Sequence, residues 1–194
     1  MILPLMPACY SWSGEKRARF DCPRPDQFDS LEQAAASTAF VIGATEAWAR
    51  DMFDHFGDFR PDLIHEDHAL VFRSLLLGRP ITYVARPLVW HRQGSGVSTI
   101  YGSRHPGPAE RKLMLSRYLI DVLQKIDDLA KAPAPAIGQI LEREADKYRL
   151  ALRFEEGWPG PVETARWVRR TGPFHTARMI AKRLRNRLLD RLAA

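Results

Sequence analysis

Cysteine is nearly absent. Cys9 and Cys22 are the only two among 194 residues, too few for a disulfide framework or a cysteine-rich zinc site. They read as two thiols in a reducing compartment. Long apolar runs are missing too. The longest stretches without a charge are residues 1–14 and 33–45, short of the roughly 18 apolar residues a membrane-spanning helix needs. No Lys or Arg falls within Met1–Tyr10, so the basic opening of a secretory signal is not seen. No internal repeat occurs. Ser13-Gly-Glu-Lys16 lacks the upstream Gly and the following Ser/Thr of a nucleotide-binding Walker loop.

What is present is a globular composition, 45% hydrophobic and 27% charged, enough to build a core. The net charge of +6 is unevenly placed. Residues 1–160 hold 20 Lys/Arg against 21 Asp/Glu, whereas residues 161–194 hold 9 against 2. The chain therefore reads as a near-neutral body with a basic tail, and an anionic partner is expected to meet that tail.

Along the chain, Ala8–Trp12 and Phe40–Ile42 read as short strands. Thr45 as N-cap and Glu46 in a first turn open a helix carrying Trp48, Met52, Phe53 and Phe56, closed by Gly57. A buried helix is expected from about His65 to Leu77, stopped by Gly78. Ile81–Ala85 and Leu88–His91 read as strands. Beyond the Gly/Pro-rich residues 94–108, two helical stripes follow: Leu115, Tyr118, Leu119, Val122, Ile126 and Leu129, then Ile137, Ile140, Leu141, Ala145, Tyr148 and Leu152. Two short basic helices come after Pro161, split at Gly172-Pro173. The expected organisation is an α/β piece over residues 1–105 and a helical region over 106–194 with its basic tail at 161–194.

The most specific stretch runs from Phe40 to Ser98. It carries Gly43 after an apolar run, then Arg50 through Gly57 as an Arg-x-hydrophobic-Phe-x-x-Phe-Gly helix. The pair Glu66-Asp67 opens a buried helix that ends at Gly78. Leu88-Val89 and Arg92 then precede Ser98. This order resembles the acceptor-side half of a family 2 glycosyltransferase, the inverting nucleotide-sugar enzymes of GT-A fold. The resemblance implies an α/β fold with a partial GT-A-like sheet and flanking helices. It implies an inverting glycosyltransferase that adds a sugar to a glycan or lipid-linked acceptor, in the cytoplasm or at the inner face of the membrane.

The chemistry such an enzyme needs can be stated independently. The attacking hydroxyl is a weak nucleophile and must lose its proton during attack, so one carboxylate within hydrogen-bond reach is the minimum equipment. The resemblance gives that role to Asp67, with Glu66 orienting it or holding acceptor hydroxyls. At a helix start the dipole favours the ionised form of Asp67. Periodicity alone is equally served by two acids decorating a helix N-terminus. Gly43 would border the acceptor cleft, and Arg92 and Ser98 would lie on the diphosphate side, where a guanidinium forks phosphate oxygens. His91 stands where the family usually has Tyr and leaves metal ligation or proton donation open.

The family's nucleotide-binding half and its Asp-x-Asp metal motif have no counterpart in this chain. The divalent ion of the complete enzyme, Mg or Mn, therefore has no ligands here, and the chain is expected to begin about halfway through the catalytic domain. The alternative is an inactive remnant or a non-enzymatic binding module. His65-Glu-Asp-His68 places its two His three apart, not four as in His-Glu-x-x-His, and fixes no third ligand. Residues 177–192 align Ala177, Ile180, Leu184, Leu188 and Leu192 on one helix face among basic residues. That helix either packs its leucines on the body or lies on an anionic membrane surface. Nucleic acid is not expected, because no aromatic residues interleave the basic ones.

Overall fold

The computed structural model describes residues 5–13, 16–20, 30–37, 43, 46–92 and 106–193, with backbone only for most of the strand residues and for 191–193. Its elements run β1 (Leu5–Ser13), β2 (Lys16–Phe20), α1 (Leu31–Ala36), α2 (Arg50–Phe56), α3 (Glu66–Leu76), β3 (Thr82–Arg92), α4 (Pro108–Lys131), α5 (Pro135–Glu156), α6 (Pro161–Thr171) and α7 (Pro173–Ala193). The three strands are ordered β2-β1-β3, with β1 antiparallel to β2 and parallel to β3.

This corrects the expected fold class. The fold is mainly helical rather than α/β with a GT-A-like sheet. Every fully buried apolar side chain of the two described core clusters lies on a helix. Ala34 and Ala35 of α1, Val71 and Phe72 of α3, Val122 of α4, and Ile137, Leu141 and Ala145 of α5 form the larger cluster. Met52 and Phe56 of α2 and Leu70 of α3 form the smaller. Helices that bury a stripe against one another make a layer of their own and do not need a sheet beneath them.

Local signals account for most helix boundaries. Ser30 caps α1 by accepting the Gln33 N–H at 3.2 Å. The four C-terminal helices all begin with proline, whose fixed φ and missing N–H suit the first turn. Gly57 ends α2 at φ +64°, and its N–H closes on the Phe53 carbonyl at 2.7 Å. A side chain at that φ would be strained. The helix expected from Thr45 begins later, at Arg50, behind an Ala49 cap with no side-chain bond. Residues 46–49 are not helical, and Glu46 is drawn into a group of acids instead.

Charge enters the core. Arg73 and Asp128, both fully buried, form a two-pronged ion pair at 2.8 Å on each prong. Gln124 adds a bond to Asp128, and the Arg73 guanidinium lies 4.2 Å from the Phe59 ring centroid. Lys125 donates to the Ala34 carbonyl at 2.7 Å and the Ser37 carbonyl at 3.1 Å, at the end of α1. Burial lowers its ammonium to about 8, because desolvation opposes the charged form.

Candidate functional site

α3 and the residues just before α2 bring together most of the acids singled out in the sequence. Glu66 and Asp67 are the first two residues of α3. Asp67 Oδ1 accepts the His68 N–H at 3.0 Å, covering one donor the helix start leaves unsatisfied. Asp67 is half-buried and Glu66 exposed. Gly43 lies against them: a Cβ placed there would sit 3.5 Å from a Glu66 carboxylate oxygen and 3.7 Å from one of Glu46. Gly43, Glu46, Glu66 and Asp67 are thus neighbours, although 24 positions separate the first from the last.

Their protonation differs. Burial pushes Glu46 up to about 8, the Trp48 side chain pulls the other way, and the charges of Asp67 and Glu66 add to the rise. Its Oε2 is buried with no hydrogen-bond partner among the described residues. At neutral pH Glu46 therefore holds its proton. Burial also raises Asp67 above the ordinary carboxylate value, and Glu66 contributes, while His68, its N–H and His65 pull the other way. The direction of this shift is set by desolvation, which opposes the charged form.

A second group lies behind α3. Asp121 of α4 places one carboxylate oxygen 2.8 Å from His65 Nδ1 and 3.0 Å from His68 Nδ1. The Tyr118 ring stacks near both imidazoles, with centroids 5.5 Å and 6.4 Å away. Asp121 bonding raises His65. Burial alone would raise Asp121, but the two imidazole bonds outweigh it and bring Asp121 down. The other oxygen, Oδ1, is buried without a partner. Asp121 and His68 border a cavity of about 10 Å³ shared with Lys125 and Tyr148, about the space of one water.

His65, His68 and Asp121 are the one set among the described residues that could gather around a metal. Two imidazoles and one carboxylate suit zinc, not Mg or Mn, which prefer oxygen ligands. The expected divalent ion therefore finds no fitting donor set among the described residues. The carboxylate bridging two imidazoles accounts for this geometry without an ion. Sequence spacing could not reveal Asp121, since its tie to His65 spans 56 positions. Glu46 was visible only as a first-turn acid.

His91 and Arg92 end β3, opposite Ser11 and Trp12 of β1, and Ser98 lies outside the described residues. A larger cavity, about 830 Å³, opens between α4, α5 and α7. Its lining acids and several of its cations are already paired: Arg111 bonds Glu155 and Asp190, and Arg183 bonds Glu155. Asp67 lines neither cavity.

Comparison with protein-family models, curated proteins and solved structures finds no match to this chain. Together with the mainly helical fold, this corrects the resemblance to family 2 glycosyltransferases: no family and no relative supports it.

Proposed function

We propose that Gly43, Glu46, Glu66 and Asp67 form an acid–base site that binds a sugar-like acceptor and takes the proton from its attacking hydroxyl. The transferred group is a sugar from a nucleotide-sugar donor, with inversion at the anomeric carbon. The proposal rests on these residues and not on membership of a family. The observation that carries it is a group of neighbouring acids in which burial raises both Glu46, up to about 8, and Asp67. Neighbouring groups with separated pKa values are how one site supplies both an acid and a base.

In this reading the acceptor O–H donates to the Asp67 carboxylate. Its oxygen bonds to the anomeric carbon as the proton passes to Asp67, and the nucleoside diphosphate leaves. Protonated Glu46 donates to a neighbouring acceptor oxygen, and exposed Glu66 accepts from a second hydroxyl. Gly43 lies beside both acids, where even a Cβ would meet them only at ordinary contact distance. The site works in the cytoplasm. A silent binding module is the alternative, marked by acceptor binding without transfer.

The test combines saturation-transfer NMR on a panel of methyl glycosides with transfer assays on a panel of nucleotide sugars. Asp67→Asn is expected to keep glycoside binding and to lose transfer by at least about 100-fold, the usual scale for a general base. An Asp67→Asn chain as fast as its parent overturns the assignment, as does binding without any transfer, or no glycoside binding at all.

A further inference from the structure

Helix α7 faces the wrong way for a helix whose leucines belong to a core. Thr176, Met179, Arg183, Asn186 and Asp190 recur every three or four residues and are buried or half-buried. Thr176 is 2% and Asn186 8% exposed. This polar side is fastened to the body: Arg183 pairs with Glu155 at 2.5 Å, and Asp190 pairs with Arg111 at 2.8 Å. Phe174, Ala177, Ala181, Leu184 and Leu188 recur at the same spacing and are exposed to solvent. Phe174 is 83%, Leu184 56% and Leu188 59% exposed. Of the stripe expected to pack on the body or lie on a membrane, Leu184 and Leu188 do not pack on the body, while Ile180 is half-buried.

Cations border this apolar stripe. Arg178, Lys182 and Arg185 are exposed and have no carboxylate partner among the described residues. Arg187 extends over the Trp158 ring, 5.5 Å from its centroid, and Trp158 is itself 46% exposed. A stripe of Phe and Leu flanked by unpaired Lys and Arg, with a Trp at its margin, is the pattern of a helix that lies in a membrane interface.

We propose that the outer face of α7 docks on an anionic membrane surface. Phe174, Leu184 and Leu188 enter the headgroup–acyl boundary, and Arg178, Lys182, Arg185 and Arg187 meet lipid phosphates. Charge selects this occupant over a second copy of the chain. With the apolar stripe at coiled-coil seam positions, Arg178, Arg185 and Arg187 flank the seam. Asp190 is the only acid of α7 and is already paired with Arg111, so the same helix of a second copy offers these cations no carboxylate, where stable pairs need opposite charges. Nucleic acid would satisfy the cations but leave the leucines in water. The proposal is independent of the acid–base site, which lies on other elements.

Flotation of the full chain with phosphatidylcholine vesicles containing about 30 mol % phosphatidylglycerol, and with pure phosphatidylcholine vesicles, tests this. The chain is expected to float with the anionic vesicles, at least tenfold more than with the neutral ones, and less as salt rises. Arg178→Glu with Lys182→Glu and Arg185→Glu is expected to reduce binding at least tenfold. Leu184→Ser with Leu188→Ser is expected to do the same. All five positions are exposed, and circular dichroism checks that each variant keeps its helices. Equal binding to both vesicle types, no binding to the anionic ones, or unchanged binding in either variant overturns the proposal. So does a dimer in lipid-free solution that the two leucine substitutions abolish, which would give the face to a second copy.

Discussion

At the scale of single residues, environment decides what an acid does. Asp67 and Asp121 are both carboxylates near α3, yet burial raises one while imidazole bonds bring the other down. The Asp121 group makes stability depend on pH in a definite sense. His65 is raised, so its contribution is complete below the ordinary imidazole value of 6.5 and fades as pH climbs through its raised value. Asp121 is lowered, so its contribution is complete above the ordinary 3.8 and fades as pH falls through its lowered value. The window of full effect lies between. Asp121→Asn is expected to destabilise by about 1.5–3 kcal/mol near pH 5.5, the scale of hydrogen bonds to charged groups. The effect should be smaller at about pH 9, well above the ordinary imidazole value, than near pH 5.5. Urea unfolding at both pH values checks this, and an equal effect at both contradicts it.

At the scale of elements, helix–helix contacts are fastened by charges that periodicity does not announce. Arg73 of α3 and Asp128 of α4 are paired in the core with no exposure. Asp128→Ala leaves a buried guanidinium alone and is expected to cost about 3–5 kcal/mol. Replacing both partners together, Arg73→Met with Asp128→Leu, is expected to cost less, because no charge is left stranded. Thermal unfolding of the two variants checks the order, and a double variant no more stable than Asp128→Ala contradicts it.

These ties also mark the limit of what was legible in the chain. The stripes through Leu115–Leu129 and Ile137–Leu152 place α4 and α5 correctly, and Gly78 and the proline-marked breaks place their neighbours. Local spacing suffices there because a helix repeats every few residues. The partners of His65, Arg73 and Arg183 lie 56, 55 and 28 positions away. No local period carries that information. The amphipathic character of α7 was readable, but its orientation was not, because distant Glu155 and Arg111 set it. The fold class was misread for a related reason: short apolar runs do not reveal whether strands or helices will dominate a core. Gly43, Glu66 and Asp67 were singled out and do meet, whereas Glu46 joined them only through the folded chain.

At the scale of the whole molecule, charge and site are separated. The acids gather around the start of α3, while the cationic excess lies in residues 161–194 and is displayed on α6 and α7. No helix among the described residues is long and apolar enough to cross a membrane, so α7 can meet a bilayer only from its surface. The proposed division leaves the helical body to hold the acids and the tail to choose the surface on which they act. Its central requirement is a carboxyl that keeps its proton at neutral pH beside another that serves as base. Carboxyl-carbon NMR of the folded chain, titrated from about pH 3 to about pH 10, reads this directly. Glu46 is expected to titrate at about 8, with Asp67 raised above its ordinary 3.8 and the two midpoints separate. A Glu46 midpoint at its ordinary 4.5, with no separation from Asp67, would contradict the acid–base site.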